Sequence, residues 1–136
     1  MLEAEVLDRL FNLISNHASN ARVQEKACTA LGNLAMGSDE QKDRLLQAGV
    51  LDHLLNSMSQ HASIAGVQER ACGALRNLAY GSHERGKMLL QDGVLDHLFT
   101  SMSEHASNAS VQVRACSALQ NLARGSNEQK EKLLQS

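Results

Sequence analysis

A period of 44 residues constrains this chain more than any other feature. Val-Leu-Asp opens at Val6, Val50 and Val94, and His-Ala-Ser opens at His17, His61 and His105. Cys28, Cys72 and Cys116 keep the same step, as do Gly37, Gly81 and Gly125. Three copies therefore run 6–49, 50–93 and 94–136, and 24 of the 43 shared columns are identical, a likeness that chance does not produce. The chain is read as one repeat domain over 1–136. A repeat of this length is one supersecondary unit that cannot bury both its apolar sides alone, so neighbouring copies must complete its core.

Each copy carries three helical segments. In the middle copy, Val50 to about His61 places Leu51, Leu54, Leu55 and Met58 on one stripe, the i, i+3, i+4, i+7 spacing of an amphipathic helix. "ASIAG" reads as a turn. A second helix over 67–80 sets Val67, Ala71, Ala74, Leu75 and Leu78 on one face. Gly81 suits a C-terminal cap with positive φ. Ser82 then caps a short third helix that ends at Gly93. In the first copy, Ser38 and Gln41 have capping-box spacing. No segment alternates with period two. The chain lacks Pro and is only 2% aromatic, so helices packed through Leu, Val, Ala, Met and Cys are expected.

The order of short helix, "VLDHLLNSM" and "VQERACGALRNLAYGS" resembles an armadillo repeat over essentially the whole chain. The resemblance implies an all-α, right-handed α-solenoid of three-helix repeats. HEAT repeats are the near alternative, but three segments and no Pro favour armadillo. In that family the last long helix of each repeat lines a concave groove, and the Asn of the "NLA" motif bonds the backbone of an extended peptide. The resemblance thus assigns peptide binding to Asn33, Asn77 and Asn121. An amide donates and accepts, which suits a peptide unit of any sequence. The alternative is that each Asn bonds a carbonyl in the adjacent repeat and holds the stack. Many armadillo groove binders carry Trp four residues before this Asn. Here Thr29, Gly73 and Ser117 stand there, which predicts a shallow groove and argues against an importin-like role.

A helical wheel puts Lys26, Arg70 and Arg114 on the same side as those small residues, with Arg76 and Arg124 able to add to them. This basic column favours an acidic or phosphorylated stretch of a protein partner. Glu25 and Glu69 adjoin the first two, whereas Val113 leaves Arg114 uncompensated at that position. Surface charge alone is the other reading of the column.

The remaining repeated residues have structural readings. Packed helices lie about 8–10 Å apart and a disulfide needs Cα atoms within ~7 Å, so the three Cys are expected as reduced, buried small hydrophobes. His17, His61 and His105 end the first long helix and suit its C-terminal carbonyls. His53 and His97 are expected at the surface. Asp8, Asp52 and Asp96 complement a helix N-terminus. No phosphate-binding glycine loop, nucleophile motif or zinc ligand set is present, so an enzyme, a metal or a cofactor is not expected.

A formal net charge of −2 gives no general attraction to nucleic acid or an anionic membrane. No apolar run approaches the ~18–20 residues of a membrane span, and the N-terminus lacks the features of a secretory signal. The expected location is cytoplasmic or nuclear. The expected function is a non-enzymatic scaffold that binds an extended protein segment. The alternative is a structural repeat fragment that stacks end to end as a homo-oligomer. On the 44-residue step, Met1–Glu5 aligns with the tail of a short helix and "EKLLQS" with another. Leu133 and Leu134 of one chain would then meet Leu7, Leu10 and Phe11 of the next.

Overall fold

The structure is a computed structural model and describes residues 2–135, with side chains from residue 5 onward. Its helices, in chain order, are α1 (Leu2–Asn16), α2 (Ala21–Leu34), α3 (Asp39–Gln47), α4 (Val50–Gln60), α5 (Ala65–Ala79), α6 (His83–Gln91), α7 (Val94–Glu104), α8 (Ala109–Leu122) and α9 (Asn127–Gln135). No strand occurs among the described residues. The pattern is long, long, short, three times.

Local chemistry explains most of the boundaries. Asn20 and Asn108 accept from the backbone N–H of Val23 and Val111 at 3.0 and 3.1 Å, capping α2 and α8. Ser38 and Gln41 form the full capping box of α3. Gly49 and Gly93 separate α3 from α4 and α6 from α7 with φ of +98° and +87°, a conformation that costs a residue with a Cβ. Gly81 also has positive φ, whereas Gly37 and Gly125 do not.

Two expectations change. The turn before α5 is shorter than "ASIAG", because Ile64 takes the extended N-cap conformation and Ala65 and Gly66 form the first helical turn. Residues 2–5 are not the tail of a short helix. They continue α1 through Val6, because Glu5 stands where Gly49 and Gly93 break the chain.

The helices pack as an α-solenoid. α5 lies between α2 and α8, and α4 packs on α7. Leu31, Leu54, Leu75, Leu78, Leu89, Leu98 and Leu122 are fully buried and belong to one core that runs through all three copies. Each of these side chains contributes roughly 1.5–3 kcal/mol by leaving water, much of it across junctions between copies.

Candidate functional site

The groove-lining helices implied by the resemblance are α2, α5 and α8, which lie side by side. The asparagines are on them, and their amides are engaged between repeats. Asn77 Nδ2 donates to the carbonyl of Gly32 at 2.9 Å, and Asn121 Nδ2 donates to that of Arg76 at 2.9 Å. Asn77 Oδ1 also accepts from Arg76 Nε at 3.1 Å. Asn33 is exposed. The adjacent-repeat alternative is thus what the geometry displays. An Asn amide has two N–H donors and two acceptor lone pairs, so Asn77 retains one of each beyond these bonds.

The small column has three different surroundings. Thr29 and Ser117 turn their hydroxyls onto the backbone carbonyls of Glu25 and Val113 at 2.9 and 2.8 Å. Gly73 is buried, and a Cβ there would come within 3.0 Å of Arg114 Nη1. The glycine lets the guanidinium of the next repeat lie across α5. Arg114 also pairs with Glu69 at 3.5 Å. The expectation that Arg114 is uncompensated is therefore corrected: its carboxylate comes from the preceding repeat, not from its own helix. Lys26 is exposed and Arg70 half-buried. Together α2, α5 and α8 carry five cations (Arg22, Lys26, Arg70, Arg76 and Arg114) against two carboxylates, Glu25 and Glu69.

Further residues at the junctions were not singled out in the sequence. Gln24 Nε2 donates to the carbonyls of Ile14 and His17, and Gln68 Nε2 to those of Met58 and His61, at 2.9–3.1 Å. Each Gln closes the C-terminal end of the first long helix in its own copy. Its Oε1 accepts from a serine of the next copy, Ser57 or Ser101. The signal was available: an invariant polar residue inside an apolar helix face, at 24, 68 and 112. Arg85 is the other. It is buried, donates to the carbonyls of Leu78 and Tyr80, and pairs with Asp39 at 2.7 Å and Asp43 at 3.2 Å. Gln41 and Gln129 occupy its position in the other copies and close capping boxes. Arg85 also acts on Asp39. Its hydrogen bond and charge hold the Asp39 carboxyl below the usual carboxylate range.

The histidines act across repeats. His61 Nε2 bonds the carbonyl of Ala18 at 2.7 Å, and His105 Nε2 that of Ala62 at 2.8 Å. A carbonyl only accepts, so Nε2 carries the proton. The carbonyls they satisfy lie in the preceding turn rather than at the end of their own helix. His53 and His97 are half-buried, not surface residues. His53 stacks on Phe11 with ring centroids 4.3 Å apart, and burial pushes its pKa down. His97 bonds Ser59 and the Gly93 carbonyl. Cys28 and Cys72 are buried free thiols, but Cys116 is exposed, because no repeat of this chain packs on that face of α8.

At the ends, Leu7, Leu10, Phe11 and Leu133 are half-buried against the chain's own core, and Leu134 is 83% exposed. Phe11 is already taken up by His53. Among the described residues, no cluster of His, Cys, Asp or Glu could hold a metal ion, and no helix is long and apolar enough to cross a membrane.

Three-helix units joined through a shared core and matching inter-repeat bonds define an armadillo-type α-solenoid. The chain belongs to the LRRK2 ARM repeat family, whose sequence profile matches residues 3–135. Crystal structures of two engineered proteins are similar to it. One gives a TM-score of 0.83 at 26% identity, over 95% of this chain and 51% of the other. The second gives 0.80 at 24%, over 93% and 49%. The chain thus spans about half the length of each. No curated protein sequence matches it.

Proposed function

We propose that the chain is a non-enzymatic scaffold that binds an extended, acidic protein segment along α2, α5 and α8. The observation that carries this reading is the charge distribution. Five cations face two carboxylates on these helices, in a chain whose formal net charge is −2. Lys26 and Arg22 are exposed, and Arg70, Arg76 and Arg114 are half-buried, so their charges remain within reach of a ligand. The donor and acceptor left on Asn77 would meet the backbone of that segment. An extended chain advances ~3.3 Å per residue, and repeats about 10 Å apart would each span about three partner residues.

Fluorescence anisotropy with a short Asp/Glu-rich peptide and its Asn/Gln counterpart tests the reading. The acidic peptide should bind more tightly, and added salt should weaken it. Arg70→Glu should lower its affinity about tenfold or more. Equal binding of the two peptides, or no effect of Arg70→Glu, would show that the cations are only solvated surface.

A further inference from the structure

The internal junctions show what each face of a repeat packs against. Where a repeat precedes, Val67 and Val111, Ala74 and Ala118, and Leu54 and Leu98 are all 1% exposed or less. Their counterparts Val23, Ala30 and Leu10 are half-buried and line an open groove of about 490 Å³ between α1 and α2. On the opposite face, Cys28 and Cys72 are buried under a following repeat, while Cys116 is exposed and Val113 is 63% exposed. Within a single copy of this chain the first face is open. The second is the kind of surface that packs on such a face.

We propose that these two faces fit each other, so that the α1–α2 groove of one copy docks on the α8 face of a second copy. The two backbone latches seen at both internal junctions can be made again. His61 and His105 bond the carbonyls of Ala18 and Ala62, and the same step places His17 on the carbonyl of Ala106 in the second copy. Asn77 and Asn121 bond the carbonyls of Gly32 and Arg76, which places Asn33 on that of Gln120. The side chain at Gln120 is no obstacle, since Arg76 holds the same position at the α5–α8 junction, where Ala118 is still fully buried.

Where the repeat pattern departs, one member of each polar pair becomes apolar: Leu13 meets Gln112, whose Nε2 bonds the carbonyls of Met102 and His105, and Val113 meets Lys26. Ser57 and Ser101 donate to a Gln of the preceding copy, and their counterpart is Leu13, 45% exposed. Glu69 pairs with Arg114 across a junction, and its counterpart is Val113. An internal junction closes with polar pairs at these places. The proposed one presents Leu13, Val113 and Cys116, which gain by leaving water, while Gln112 forgoes the serine donor that Gln24 and Gln68 have. Lys26 goes without the carboxylate that Glu69 gives Arg114 across the internal junction, a half-buried pair, so the proposed contact forgoes that ion pair. Phe99 holds the position of Phe11, whose ring stacks on His53, and it meets Arg9, a guanidinium suited to an aromatic face. The contact is heterologous, so it extends to rings or filaments rather than stopping at a dimer.

Sedimentation velocity over a hundredfold range of concentration should show mass rising above the 14.8 kDa of one chain. Leu13→Glu blocks one face and Cys116→Glu the other. Both positions are exposed, so circular dichroism should report unchanged helix. Each variant alone should run as a monomer, while an equimolar mixture should form a one-to-one dimer, because one intact copy of each face remains. His17→Ala with Asn33→Ala should weaken association about tenfold. A wild-type chain that stays monomeric throughout overturns the proposal. So does a variant that still pairs with itself as the wild type does, which would mean a symmetric contact, or a mixture that forms no dimer. Arg22 and Lys26 also line this groove, so peptide binding is read at dilutions where copies stay apart, and none of these outcomes decides it.

Discussion

A cysteine found three times at one repeat position has two surroundings. Cys28 and Cys72 lie under the next repeat, and burial raises their pKa to about 11 and about 12. Cys116 has the same helical neighbours but no repeat of this chain above it. The thiolate is the reactive form, so at dilutions where copies stay apart a thiol reagent near pH 8 should label one cysteine per native chain quickly and all three after denaturation. Rapid labelling of all three in the native protein would mean that the junctions open readily. The same contrast separates Asn77, which bonds Gly32, from Asn33, which is exposed. Asn77→Ala removes one inter-repeat bond and should lower stability by about 1 kcal/mol in urea denaturation. An unchanged midpoint would show that the bond to Gly32 contributes nothing net.

Helix boundaries depend on single residues whose neighbours permit or forbid a change. A Cβ added at Gly49 would meet nothing within 4 Å, yet its φ is +98°, so the cost of Gly49→Ala is conformational and not steric. It should destabilise by about 1–2 kcal/mol, measured as a fall in the urea midpoint. A loss near zero would show that α3 and α4 can join without the left-handed turn. At Gly37 the limit is different: a Cβ would fall on the Gln41 side chain that closes the α3 capping box. Where Arg85 replaces that Gln, no box forms by this route, the guanidinium bonds the Tyr80 carbonyl, and Gly81 alone of its column turns to positive φ. Equal letters in a repeat therefore take unequal conformations when one neighbour changes.

Across the whole molecule, stability is a matter of junctions as well as repeats. Arg85 joins α6 to α3 with a buried guanidinium, and Arg85→Met should cost about 2 kcal/mol through its lost charged hydrogen bonds. The folded pKa of Asp39 is depressed by Arg85, so the unfolded chain takes up this proton first as pH falls. The contribution of Asp39 is present above about pH 4 and is lost as pH drops through its lower folded value. The gap between wild type and Arg85→Met in urea midpoint should therefore shrink between neutral pH and about pH 3. A constant gap would remove the ion pair from the account. The period, the order of the helices, the armadillo class and the Ser38–Gln41 box could all be read from the chain, because periodicity and capping act between residues a few positions apart. So could the positions of the asparagine and basic columns. Their partners could not. Asn77 meets Gly32, Arg114 meets Glu69, His61 meets Ala18 and Gln68 meets Ser101, each across more than thirty residues. Which groups face one another over that distance is decided only when one repeat packs on the next.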